Sequence, residues 1–163
     1  MIKKIALGII GLLIVIQFIP QEKNLSDDQL FDISKKYEIP ADVQDILKNA
    51  CNDCHTNKST YPWYSHIQPV GFWLNHHIND GKRHLNFDEF LTYDAKKKDH
   101  KMEELIESQT EGWMPMESYT LIHKEAKLTS EEKNAIIAYA KSVRAMVGYT
   151  KVGGEEKGKK EEH

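Results

Sequence analysis

The stretch from Cys51 to His55 constrains this chain more than any other feature. Its two cysteines stand three positions apart, and a histidine follows the second one at once. This pattern is typical of covalent haem attachment: each thiol adds to one vinyl group of the porphyrin, and the histidine ligates the iron as proximal ligand. Residues three and four apart share one face of a helix. We therefore expect Cys51, Cys54 and His55 to hold one covalently bound haem c from a single helical turn.

Such a cysteine pair has three other possible uses, which are redox activity, zinc binding and a disulfide. A redox pair is expected near a βαβ pattern, which the chain does not show. A structural zinc site needs a second pair of ligands, and the adjacent His76 and His77 are poorly placed for one tetrahedral ion. A disulfide between Cys51 and Cys54 is compatible with an oxidising compartment. Haem attachment is favoured, and the zinc and disulfide interpretations stay open.

The first twenty residues are of another kind. Lys3 and Lys4 precede an apolar run of about fifteen residues that ends at Ile19, which indicates an export signal. As a helix this run spans about 22 Å, less than the roughly 30 Å hydrocarbon core of a bilayer. No small-residue cleavage site follows it. We therefore keep both a cleaved signal and a short single-pass anchor over residues 1–20.

Both alternatives place the rest of the chain outside the cytoplasmic membrane. We expect a periplasmic protein tethered to that membrane through residues 5–19 if the signal is retained. Without the first twenty residues the chain has 20 basic and 25 acidic side chains, a net charge of −5. It shows no basic excess and no nucleic-acid motif, so a nucleic-acid partner is not expected.

The hydrophobic pattern predicts an all-α chain. Residues 21–39 are expected to form a linker and a short helix, which would begin at a capping box over residues 26–29. Pro40 is expected to open an amphipathic helix that runs into Cys51 and carries its apolar residues on one stripe. The members of this stripe are Val43, Ile46, Leu47 and Ala50. Residues 40–148 would form a compact, cytochrome c-like helical domain, and residues 149–163 a disordered charged tail.

The middle of the chain is rich in aromatic rings. We expect residues 56–69, which include Tyr61 and Trp63, to form a loop around a haem edge, although such rings also fill ordinary cores. A helix is predicted over residues 70–80, with Gly81 at its C-terminal cap and with Trp73 and His77 on its apolar face. His77 is either a core histidine or an iron ligand.

Met114 lies in a loop between two predicted helices. A following proline restricts its backbone, and a thioether is a suitable sixth iron ligand; the alternative is that Met114 only fills the core. The last helix is expected to begin after a cap at Thr129 and to end near Gly148, with Ile136, Ile137, Ala140 and Val143 inward.

Short motifs beyond the cysteine pair extend through the chain. They are Tyr61-Pro62-Trp63-Tyr64-Ser65, Pro69, Trp73, His77, Gly81-Lys82, Leu85-Asn86-Phe87, Met114-Pro115, Tyr119, His123 and Leu128. Together with the cysteine motif they resemble the small haem-binding domain family of exported bacterial proteins, over roughly residues 40–142. That family is found near cytochrome c and di-haem peroxidase modules. In two places the chain departs from its pattern: Met116 replaces an expected second proline, and Asp88 stands where serine is common.

The last third of the chain is also similar to class I c-type cytochromes, in which the ligand methionine precedes the C-terminal helix. The resemblance implies single-electron transfer with redox partners such as other cytochromes or a di-haem peroxidase. We thus expect a mono-haem c-type cytochrome domain in which His55 and Met114 ligate the iron. Its alternative is a haem enzyme or sensor with an open distal site, where His77 or His123 would serve. Both histidines, and Met116, also remain candidates for the sixth ligand.

Overall fold

The computed structural model describes residues 1–150, and within them the chain is helical. The α-helices are α1 (Ile2–Val15), α2 (Ala41–Ala50), α3 (Asn52–His55), α4 (Val70–His84), α5 (Ala95–Glu111), α6 (Glu117–Ile122) and α7 (Ser130–Val147). Short 3₁₀ turns lie at Ile16–Phe18, Ile33–Lys35, Trp63–His66, Phe87–Thr92 and Lys124–Ala126. Residues 1–150 form no β-strand, and a single antiparallel bridge joins Leu25 to Lys58. The all-α prediction is confirmed.

The core is formed where α7 packs against α5 and α2. The predicted apolar stripe of α2 is fully buried. In α7 the inward residues are Ile136, Tyr139, Ala140 and Val143, so Ile137 is less buried than expected and Tyr139 was not predicted. Thr129 caps the start of α7, as predicted, and Glu132 completes a capping box that was not predicted.

Residues 21–39 contain one short 3₁₀ helix, at Ile33–Lys35, and part of the segment packs into the core. Ile33 and Tyr37 are fully buried in the core, and the backbone N–H of Ser26 donates to the carbonyl of Asn57 over 3.0 Å. The capping box predicted at residues 26–29 does not form. Instead the Asp32 side chain caps the short turn at Ile33–Lys35. The segment is therefore a strap across the loop that follows His55.

Two predictions for α4 were wrong. The helix continues past Gly81 to His84, so Gly81 does not cap it. Its buried residues are Gly71 and Ile78, whereas Trp73, predicted on the apolar face, is 45% exposed. The physical reason is that Gly71 and Gly81 allow the side of α4 that also carries Ile78 to pack closely against the Ser65 and Cys54 backbone.

The apolar run at the N-terminus forms α1 and the turn at Ile16–Phe18, with its side chains largely exposed. A single-pass anchor was one of the two predictions for this run. Within residues 1–150 no helix combines the length and the apolar character needed to cross a membrane. Most of the charged tail predicted at residues 149–163 lies outside the described residues.

Candidate functional site

The motif at residues 51–55 forms one closed helical turn directly after α2. Cys51 ends α2, and its carbonyl accepts from the backbone N–H of Cys54 over 3.1 Å and from that of His55 over 3.0 Å. The buried stripe of α2 ends at Ala50, and the turn of the motif begins directly after it. The helical turn expected from the spacing is thus present.

Both cysteines are free thiols. Burial raises the pKa of Cys51 to about 12, and the neighbouring Cys54 adds to this shift. Burial likewise raises the pKa of Cys54 to about 12, with a further contribution from Asp53. The thiols are therefore protonated at neutral pH, whereas a redox-active Cys-x-x-Cys pair needs a thiolate.

Neither alternative for the cysteine pair gains support from the surrounding residues. No disulfide joins Cys51 to Cys54. Within residues 1–150, His, Cys, Asp and Glu side chains form no group of three or more that could hold a metal ion on their own. A site that uses only protein ligands, as structural zinc does, is not assembled here.

The His55 ring is held in one tautomer. Its Nδ1 lies 2.8 Å from the carbonyl oxygen of Leu85. Because a carbonyl can only accept, Nδ1 carries the proton and donates, and Nε2 keeps a free lone pair. Burial lowers the pKa of His55, which favours the neutral ring. Metal-ligating histidines are commonly oriented in this way by a carbonyl on the other nitrogen. Two neutral thiols beside such an imidazole fit the chemistry of haem c.

A buried polar network holds the Leu85 carbonyl in place. The Asn86 side chain donates to Asn57 Oδ1 over 2.8 Å and accepts from the Asp88 backbone N–H over 3.1 Å. Asp88 Oδ2 accepts from the Asn57 backbone N–H over 2.7 Å. All three side chains are buried. Sequence reasoning did not assign them a role, although Asn86 stands in a stretch that carried the resemblance and Asp88 was one of the two departures from the family pattern.

Gly81 brings α4 against the motif. A Cβ atom at this position would lie 2.6 Å from the Cys54 carbonyl oxygen and 3.0 Å from the Cys54 Cβ. Real Cβ atoms do not approach backbone so closely, so glycine is required for this packing. The role of Gly81 is close approach rather than helix termination.

Asp53, between the two cysteines, links the motif to α6. Its Oδ2 accepts from the Tyr119 hydroxyl over 2.9 Å, and its Oδ1 accepts from the Thr60 backbone N–H over 2.9 Å. Burial and the Asp53 carboxylate raise the pKa of Tyr119 far above its usual range, so the hydroxyl stays protonated and donates. Sequence reasoning did not predict this contact.

His123 has both ring nitrogens engaged. Nε2 lies 2.6 Å from the Tyr64 hydroxyl, and Nδ1 lies 3.3 Å from Glu125 Oε1. The ring also stacks on Tyr119, with centroids 4.3 Å apart and planes 15° apart. A nitrogen lone pair for iron is therefore not available in this arrangement.

The other candidates for the sixth iron ligand are Met114, Met116 and His77. Each keeps an atom that could ligate iron and is not engaged as the His123 nitrogens are. Met114 is half-buried in the loop between α5 and α6, and Met116 is the residue before α6. His77 Nδ1 lies 2.8 Å from the Trp73 carbonyl, so its Nε2 also keeps a lone pair. His77 is half-buried, and its ring lies against that of Trp73 at 4.3 Å.

The two aromatic residues expected at a haem edge lie in the loop after the motif. Tyr61 is half-buried, and its hydroxyl accepts from the Asn24 backbone N–H over 2.7 Å. Trp63 is 76% exposed and meets Tyr64 edge to face. In the structure Tyr61 thus anchors the strap, while Trp63 is mostly on the surface.

A groove of about 290 Å³ lies between α2 and α7, away from the motif. It is lined mainly by carboxylates, which are Asp42, Asp45, Glu125, Glu131 and Glu132. None of the residues from Cys51 to His55 lines it. The neutral thiols and the oriented imidazole, rather than this groove, form the candidate site.

Comparison with known proteins identified a family. The model of a family described as a haem-binding domain matches residues 11–142, which is most of the chain. The comparisons with curated proteins and with solved structures returned no match. The matched range includes residues 21–39, in agreement with their packing as part of the domain.

Proposed function

The chain belongs to the haem-binding domain family, and from this we propose that it is a mono-haem c-type cytochrome domain that transfers single electrons outside the cytoplasmic membrane. The observation that carries the proposal is the Nδ1–H of His55 on the Leu85 carbonyl. It leaves Nε2 for iron on the same helical turn as two protonated thiols.

Each residue of the motif has a separate task. Cys51 and Cys54 would hold the haem through two thioether bonds, and His55 would ligate its iron. The bound haem supplies one-electron chemistry at iron. The Leu85 carbonyl orients the His55 ring and raises the basicity of Nε2, which tunes the metal. In this role no side chain has to transfer a proton.

For the sixth ligand we propose Met114. Its loop leads into α6, and α6 contacts the motif through Tyr119 and Asp53. His123 has no nitrogen to offer, as described above, while Met116 and His77 remain as competitors. A methionine ligand favours reduced iron and raises the potential relative to a second imidazole.

The proposed setting follows from the N-terminal sequence. Two lysines and an apolar run are typical of export, and thioether attachment in bacteria takes place outside the cytoplasmic membrane. The family that the chain resembles is found near other cytochromes and di-haem peroxidases. We therefore propose redox partners of these two kinds.

The test of this function is covalent haem. Denaturing electrophoresis with haem staining of protein co-expressed with a haem c maturation system should show a band that survives acid–acetone extraction. Cys51→Ala and Cys54→Ala should each weaken or abolish it, because at most one thioether remains. Asn52→Ala, a change inside the motif that leaves its signature intact, should keep the band. A colourless unmodified protein, or haem that acid–acetone removes, would contradict the proposal.

A further inference from the structure

α6 is not held in place by apolar burial. None of its six residues is buried, and its large apolar side chains, Leu121 and Ile122, are 69% and 57% exposed. Burial of large apolar side chains is a main source of the free energy that docks a helix, and α6 gains little of it. Its position must therefore depend on polar and ring contacts.

The contact with the motif is a hydrogen bond to a charged acceptor. The Tyr119 hydroxyl donates to Asp53 Oδ2 over 2.9 Å, across 66 positions of sequence. The second Asp53 oxygen is fixed by the Thr60 N–H at 2.9 Å, so the acceptor is already oriented. A hydrogen bond to a charged acceptor is stronger than one between two neutral groups.

Tyr119 is itself braced from the other side. The His123 ring stacks on it at 4.3 Å, and His123 in turn contacts the Tyr64 hydroxyl at 2.6 Å. Tyr64 lies in the turn after the motif. The tyrosine ring is thus confined between the motif and the loop that follows it.

The same residue is connected to the methionine loop through the backbone. The Tyr119 N–H donates to the Met116 carbonyl over 3.0 Å, and Met116 stands two positions after Met114. A displacement of Tyr119 therefore displaces the end of the loop that carries both candidate thioethers.

We propose that Tyr119 is a positioning residue that fixes the Met114 loop against the haem motif through its hydrogen bond to Asp53. This inference rests on the proposed function, because it concerns closure of the sixth iron position. It assigns to Tyr119, His123 and Tyr64 the task of holding a ligand rather than of providing one.

The test is Tyr119→Phe in the full-length holoprotein. Phenylalanine keeps the stack with His123 and removes only the hydroxyl. Loss of the charged hydrogen bond should raise the open fraction of the sixth position by about tenfold or more. We expect a weaker methionine–iron charge-transfer band in the oxidised protein. The reduced spectrum should now change with carbon monoxide, with a carbon monoxide-bound fraction at least about tenfold larger than in the unmodified protein.

Two controls separate this role from a general loss of stability. Tyr139→Phe also removes a buried tyrosine hydroxyl, which faces the Tyr37 carbonyl in the core at 3.4 Å, and should leave the band and carbon monoxide binding unchanged. Asp53→Asn keeps an acceptor oxygen and should retain most of the band, whereas Asp53→Ala should resemble Tyr119→Phe. The double variant Asp53→Ala/Tyr119→Phe should weaken the band no more than either single variant does, because both substitutions remove the same hydrogen bond.

The outcomes distinguish this inference from the proposed function. If haem staining fails in the unmodified protein, the cytochrome assignment is wrong. If the haem is covalent and the band is unaffected by Tyr119→Phe, or is weakened equally by Tyr139→Phe, the positioning role is overturned and the function stands. Additive effects of Asp53→Ala and Tyr119→Phe would overturn it as well. If Tyr119→Phe does not assemble, the comparison of Asp53→Asn with Asp53→Ala decides whether the hydrogen bond positions the Met114 loop.

Discussion

At the scale of single residues, Gly81 is the position where the packing of the motif is most sensitive to one added atom. The atoms that a Cβ would meet belong mainly to the Cys54 backbone, which cannot rotate away as a flexible side chain would. α4 would have to move, and with it the Leu85 carbonyl that orients His55. One methyl group can therefore disturb both the thioether segment and the proximal ligand.

We predict that Gly81→Ala lowers the free energy of unfolding by about 2 kcal/mol. This loss exceeds the gain of up to about 1 kcal/mol that alanine gives over glycine inside a helix. It should also reduce the yield of covalently attached haem. The measurement is urea unfolding of the purified holoprotein together with its haem content.

The matched control is Asn79→Ala, an exposed position on the same helix. It should change the free energy of unfolding by less than about 0.5 kcal/mol. Equal stability of the Gly81→Ala and Asn79→Ala proteins would show that the close approach to Cys54 is not required.

At the scale of elements, α5 and α7 are joined by an ion pair as well as by apolar packing. Arg144 Nε and Nη2 donate to the two oxygens of Asp99 over 2.7 and 2.9 Å. The Asp99 side chain is only 6% exposed and that of Arg144 is 28% exposed. The planar guanidinium matches the carboxylate in a way that lysine does not.

Arg144→Ala should lower the free energy of unfolding by about 2–4 kcal/mol, because it leaves the Asp99 carboxylate buried without its partner. Arg83→Ala removes an exposed pair with Asp80, formed over 2.8 Å, and should cost less than about 1 kcal/mol. Thermal unfolding of both variants beside the unmodified protein measures the difference. Similar values for the two would contradict the account of the α5–α7 interface.

The elements that could be predicted are those determined by local pattern. The apolar stripe of α2 and the cap at Thr129 act within one or two helical turns, and both predictions are confirmed. The strap over residues 21–39 could not be predicted. Its capping-box sequence competes with a hydrogen bond from Ser26 to Asn57, and that bond depends on the folded chain.

The candidate site also has a part that local sequence predicts and a part that depends on distant contacts. The spacing of Cys51, Cys54 and His55 is local, and the sequence predicts their shared helical turn. The contacts of Tyr119 with Asp53 and of Asn57 with Asp88 join residues 66 and 31 positions apart. No periodicity marks such pairs. Gly81 was misassigned because a glycine near the end of a helical pattern is more often a cap than a point of close approach.

At the scale of the whole molecule, the proposed export of the domain can be tested directly. A reporter that is active only outside the cytoplasmic membrane, fused after His163, should be active because Lys3 and Lys4 hold the N-terminus inside. Exchanging both lysines for glutamate should reduce this activity. Activity of a cytoplasmic reporter alone would rule out export, and N-terminal sequencing of the mature protein would show whether residues 1–20 are removed.

The central claim is that the protein is an electron carrier in which Met114 is the sixth iron ligand. The most direct test is the optical spectrum of the oxidised, reduced and carbon monoxide-treated protein. We predict a weak long-wavelength methionine–iron band in the oxidised form and a reduced spectrum that carbon monoxide does not change. Met114→Ala should lose the band and bind carbon monoxide, while Met116→Ala should keep the band. A reduced protein that binds carbon monoxide readily would contradict the account, as would a band that is missing from the unmodified protein or that persists in Met114→Ala.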